Sequence, residues 1–128
     1  MVVKKLTLTA AGVCYMLLLI IGSLSNLIDV PKLSIEFQDK ITHFTAYALL
    51  CFVLFLMFES YKIRNTLKYS ILVSIVFGTL IEFLQANLTS YRAFDIFDII
   101  VNVAGILIMA KLIALNKPLI VKKIETFM

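Results

Sequence analysis

Charge is scarce in this chain of 128 residues: Asp, Glu, Lys and Arg together make up 16% of it. Hydrophobic residues make up 62%, against roughly 45–50% in soluble domains. A single domain of this length has too much surface for its volume to hide that much apolar area from water. An ordinary soluble enzyme and a disordered chain are thereby excluded. Cysteine is scarce as well. Cys14 and Cys51 each lie inside an apolar run, where a thiol behaves as a small hydrophobe, so a disulfide-stapled secreted domain is excluded too. The sequence has no repeat, low-complexity tract or interdomain linker. It also lacks a basic motif interleaved with aromatics, so the net charge of +4 and pI near 9.1 do not indicate nucleic acid.

What the chain does have is long apolar runs. Four stand out, at about Leu6–Ile28, Thr42–Phe58, Leu67–Ala86 and Ile96–Leu115. A helix needs about 20 residues, within a range of roughly 17–25, to cross the hydrocarbon of a bilayer. Only helices and closed barrels satisfy their backbone in lipid, and these runs are continuous rather than alternating. The expected fold is an all-α membrane protein: a single domain over residues 1–128 forming a four-transmembrane-helix bundle. The second run is the shortest, and its helix is expected to begin a turn earlier, near Asp39. The first run follows Lys4 and Lys5 as a signal peptide would, but no small-x-small cleavage site follows it, so it reads as a retained span.

Basic residues set an expected orientation. Lys4, Lys5, Lys62, Arg64, Lys68, Lys111, Lys117, Lys122 and Lys123 fall on one side, and Lys32, Lys40 and Arg92 on the other. The positive-inside rule places both termini in the cytoplasm. The acids split the opposite way: Asp29, Glu36, Asp39, Glu82, Asp95 and Asp98 lie toward the outer ends, with only Glu59 and Glu125 inside. Acids contribute little to topology, so their segregation needs another cause.

Ionisable groups inside spans cost about 2.5–3.5 kcal/mol each on insertion scales and are functional candidates for that reason. At about 100° per residue, Asp39, Lys40, His43 and Tyr47 share one face of the second helix. Ser74, Gly78, Glu82 and Gln85 share a face of the third, and Asp95, Asp98, Asn102 and Gly105 a face of the fourth. Alternating helix directions bring the three stripes to one depth, beside a short outer loop carrying Arg92. A purely structural alternative assigns Asp95 or Asp98 to helix N-terminal stabilisation and pairs Glu82 with Lys40 or Arg92 to fix helix register.

Taken in order, Asp39-Lys40-x-x-His43-x-x-x-Tyr47, Glu82-x-x-Gln85, Arg92, Asp95-x-x-Asp98 and Asn102-x-x-Gly105 resemble the VanZ-like family. These are small bacterial membrane proteins whose founding member is associated with teicoplanin resistance. The resemblance runs from about Asp39 to Lys111. It implies a multi-pass protein of the bacterial cytoplasmic membrane with a link to the cell envelope, without implying a particular reaction. The site residues it implies are Asp39, Lys40, His43, Tyr47, Glu82, Gln85, Arg92, Asp95, Asp98 and Asn102.

Their chemistry suits an outward-facing pocket that binds or modifies a lipid-linked or phosphorylated envelope component. His43 would be its general acid or base, with Asp39, Glu82 and Asp98 as carboxylates beside it. Lys40 and Arg92 would hold an anionic group, while Tyr47, Gln85, Asp95 and Asn102 complete the binding surface. No metal ligand is assigned. The lone His is unlike a zinc site, although the oxygens of Glu82, Asp95 and Asp98 around it would suit a divalent cation such as magnesium or manganese. A small proton-coupled transporter is the alternative, and Val53–Phe58, Ile71–Val73 and Ile106–Ala110 weigh against it as apolar inner halves. An accessory or scaffold protein of the envelope, packed through Gly12 and Gly22, is another. Membrane lipids are the expected partners.

Overall fold

The computed structural model describes residues 2–25, 35–90 and 93–127. They form four helices, α1 (Val2–Leu24), α2 (Ile35–Ser60), α3 (Thr66–Leu88) and α4 (Ile96–Phe127), and no strand is present among the described residues. Each helix is long and apolar enough to cross a membrane. Even the 23-residue helices α1 and α3 reach about 34 Å at 1.5 Å per residue, enough for a hydrocarbon core of about 30 Å.

The surface identifies the solvent. Val13, Leu17, Leu18 and Ile21 of α1, Leu72, Val76, Leu80 and Phe83 of α3, and Leu107, Ile108 and Leu112 of α4 all point outward. An apolar belt of this extent has no place in water and matches acyl chains. The interior combines an apolar core with polar groups. Leu50, Cys51, Leu54, Ile106 and Ala110 form that core where α2 meets α4, the helix pair that packs most extensively. Gly105 permits the approach, because a Cβ there would run into the backbone carbonyl of Phe44.

α1 sits at the edge of the bundle, with Gly12 its one buried residue. Gly12 faces the Met57 sulfur. Three polar ties fasten the helix: Thr9 to the Tyr61 hydroxyl at 2.8 Å, Tyr15 Oη donating to Ala46 O at 2.7 Å, and Gln85 Nε2 donating to Ser23 O at 2.7 Å. The first tie places the start of α1 beside the α2–α3 turn. The last places its end beside the C-terminal turn of α3. Lys62 and Asn65 close the α2–α3 turn with positive φ angles of 54° and 59°.

Helix bounds differ from the expected spans in instructive ways. α1 begins four residues earlier than Leu6 and ends at Leu24, because its first turn remains helical as it carries Lys4 and Lys5. α2 begins at Ile35, about a turn before the expected start near Asp39, so Asp39, Lys40 and His43 lie inside the helix. α4 continues past Leu115 to Phe127, through Pro118. Proline removes one intrahelical bond, but the chain beyond it packs back on the bundle: Val121, Ile124 and Glu125 face Glu59, Lys62 and Ile63 across a cleft of about 300 Å³.

Candidate functional site

At the end of the bundle opposite the α2–α3 turn, α2, α3 and α4 bring their polar stripes together. Lys40 Nζ donates to Asp95 Oδ2 at 2.7 Å and also to Asp98 Oδ1. Of the two partners considered for Glu82, Lys40 is thus engaged by the two aspartates, and Arg92 lies outside the described residues. Asp95 stands immediately before α4, and its Oδ1 accepts the Phe97 N–H at 2.8 Å, the geometry of a helix N-cap. The Lys40 ammonium, followed by that backbone N–H, holds the Asp95 carboxyl below the ordinary 3.8.

His43 lies deeper, at 9% exposure. Its Nδ1 is 3.2 Å from Asn102 Oδ1 and 3.6 Å from Glu82 Oε1. An amide oxygen only accepts, so Nδ1 is the donor in this bond. On the other side of the ring, Nε2 is 3.8 Å from both Asp39 Oδ1 and Asp98 Oδ2. Those separations exceed hydrogen-bond length. Glu82 is nearly sealed at 2% exposure, which makes the His43 ring facing it the natural partner for a proton or a charge. Tyr47 follows one turn below, its ring 6.4 Å from that of His43 and inclined by 10°.

Small residues make room for this arrangement. A Cβ on Gly78 would lie 2.9 Å from Tyr47 Cε1 and 3.5 Å from Asn102 Nδ2. Side chains of both α2 and α4 thus approach α3 closely at Gly78. Asp39, His43 and Asp98 each offer a ligand atom, all within 4.8 Å of one another. They share His43 and Asp98 with the set of His43, Glu82, Asp95 and Asp98 considered from sequence, and among the described residues these three could hold a divalent cation. Lys40 already contacts one of those carboxylates.

Of the sequence-derived site residues, Asp39, Lys40, His43, Glu82, Asp95, Asp98 and Asn102 thus share one constellation, with Tyr47 stacked beneath it. Gln85 is turned toward α1 and binds the Ser23 carbonyl, so within the fold it acts as a tie between helices. Arg92 lies outside the described residues, as do Asp29, Pro31 and Lys32 of the first outer loop.

The apolar reading of the inner halves needs correcting. Ser70 and Ser74 are completely buried and Thr66 is 2% exposed, so the buried stripe of α3 runs Thr66, Ser70, Ser74, Gly78, Glu82 at intervals of four, with Gln85 beyond. Ser60 and Cys51 of α2 are also fully buried. The intervening Leu67, Ile71 and Val73 obscure Thr66 and Ser70 in the linear sequence. Extending the Ser74 spacing backward by one and two turns would have found them.

A sequence profile of the VanZ/LLP1 family matches residues 5–117. A curated protein of the fission yeast Schizosaccharomyces pombe, described as uncharacterized, is 43% identical over 76 residues, covering 59% of this chain and 46% of its own. The chain thus spans about half the length of that relative. No solved structure matches it. The profile extends from the first turns of α1 to just before Pro118 and takes in every stripe that builds the His43 constellation. The chain is a multi-pass membrane protein belonging to the VanZ/LLP1 family.

Proposed function

We propose that the His43 constellation binds the polar head of a lipid-linked or phosphorylated membrane component and carries out acid–base chemistry on it. The observation that carries this reading is the setting of His43, a buried imidazole with carboxylate oxygens within 4 Å of both ring nitrogens. Such a ring can take a proton on one side and return it on the other. Glu82, Asp98 and Asp39 are the carboxylates of the exchange. An ammonium has three donors. Lys40 commits two, to Asp95 and Asp98, and keeps one for an anionic oxygen of the ligand. Chemistry assisted by magnesium or manganese would use Asp39, His43 and Asp98.

Family membership supports a role at the membrane. In a bacterial cytoplasmic membrane with both termini inside, the site would face the outer leaflet, and a contribution to teicoplanin resistance would follow from its action on an envelope precursor.

The test compares wild type with His43→Ala, Glu82→Gln and Asp98→Asn in a susceptible bacterium, scoring membrane abundance, teicoplanin susceptibility and phosphate-bearing lipid retained through purification. The expected result is unchanged abundance with retained lipid reduced roughly tenfold, equivalent to about 1.4 kcal/mol of binding, and with any protection lost. Variants that accumulate normally and retain the same lipid would overturn the reading. Variants that fail to accumulate would assign the network to helix packing.

A further inference from the structure

The buried stripe of α3 crosses the bundle rather than ending at the site. From Glu82 it passes Gly78, Ser74 and Ser70 to Thr66, where Ser60 lies buried at the end of α2. A row of hydroxyls can be simple helix glue, each donating to a carbonyl three or four residues back. Ser60, Thr66 and Ser70 do this, at 2.6, 2.7 and 2.8 Å. The groups above them do not. Tyr47 Oη and Asn102 Nδ2 have no hydrogen-bond partner among the described residues, although both side chains are 2% exposed. Ser74 Oγ has no nitrogen or oxygen partner among the described residues and faces the Cys51 thiol.

Leaving a buried polar group unmatched costs about 1–3 kcal/mol; the Tyr47 ring and Asn102 Nδ2 flank Gly78, and Ser74 lies one turn from that glycine on α3. Water held between them would remove that cost. The same spacing continues along the stripe: hydroxyls four residues apart on a helix are about 6 Å apart, a gap that one water closes with two bonds of about 2.8 Å. At the far end, Glu59 Oε2 is buried without a partner among the described residues, on the wall of the cleft it shares with Lys62 and Glu125.

We propose that this stripe is a proton path joining the His43–Glu82 pair at one end of the bundle to the Glu59 and Glu125 carboxylates at the other, an activity beyond head-group chemistry. Each hop passes one proton between oxygens and leaves every heavy atom in place. Net movement is balanced by an opposing ion flow. The path follows α3, beside the dry α2–α4 core of Leu50, Leu54 and Ile106.

The experiment reconstitutes the full chain into vesicles containing a trapped pH-sensitive dye, and drives protons inward with a potassium diffusion potential set by valinomycin. Wild type is expected to acidify the interior roughly tenfold faster than protein-free vesicles, as a barrier lower by about 1.4 kcal/mol would give. Ser70→Ala and Ser74→Ala, mild changes that remove one hydroxyl each, are expected to fall to the protein-free rate while retaining their helical circular dichroism. Tyr69→Phe, on the exposed face of the same helix, is expected to conduct as wild type does. Wild type no faster than empty vesicles, or serine variants as fast as wild type, would overturn the path. Protein that is proton-tight yet still carries its lipid would leave the head-group reading standing alone.

Discussion

Lys40 holds two aspartates at once, and the residue scale turns on which acids that leaves for His43. Asp95 serves Lys40 and the first turn of α4, so its value is structural as well as electrostatic. Its folded-state pKa is lowered by Lys40. A group of this sign contributes stability above its unfolded value, and the contribution is lost as pH falls through the folded value. Its side chain is 39% exposed, so solvent screening keeps the effect small. Thermal unfolding in detergent is expected to be insensitive to Asp95 down to about pH 4, then to weaken as acid breaks the Lys40 pair. Asp95→Asn should start from a lower unfolding temperature and lose part of that acid dependence. An Asp95→Asn acid profile identical to wild type would refute the assignment. The sequence showed Asp95, Asp98 and Lys40 on facing stripes. It did not show that Lys40 takes both aspartates while Glu82 comes within 3.6 Å of His43, because that choice depends on helix rotation and depth, which i, i+4 spacing leaves free.

At the scale of the helices, glycine positions differ by what lies over them. A Cβ at Gly105 meets the backbone of Phe44, one at Gly12 meets the flexible end of Met57, and one at Gly22 meets nothing within 4 Å. Backbone cannot step aside without parting α2 from α4, whereas a methionine can change rotamer. Gly105→Ala should therefore cost about 1–3 kcal/mol or more, as overpacking does. Gly12→Ala should be close to neutral, and Gly22→Ala neutral or stabilising by up to about 1 kcal/mol through helix propensity. Denaturation in a fixed detergent ranks the three, and equal costs would contradict the packing. Hydropathy located all four helices. It could not find the end of α4, since residues beyond Leu115 are held in helix by contacts with the α2–α3 turn rather than by their own periodicity.

For the whole molecule, the antiparallel bundle puts Lys62 and Ser90 at opposite ends, and the distribution of basic residues predicts which end faces the cytoplasm. Single-cysteine variants at the two positions, in a background without Cys14 and Cys51, should label from opposite sides of the membrane, Ser90→Cys from outside. Equal labelling from outside would reject that orientation. The membrane class, the number of spans, the family and nearly the whole list of polar residues follow from the sequence, because hydropathy and helical periodicity are local properties that the chain carries with it. Tertiary structure decided which groups meet. Only packing turns Gln85 to α1, sets Asp39 and Asp98 on one side of the His43 ring with Glu82 on the other, and lines up Ser70 and Thr66 beneath Ser74. Those outcomes depend on the rotation and separation of helices that touch across dozens of residues of sequence, and close contact at Gly78 and Gly105 fixes both.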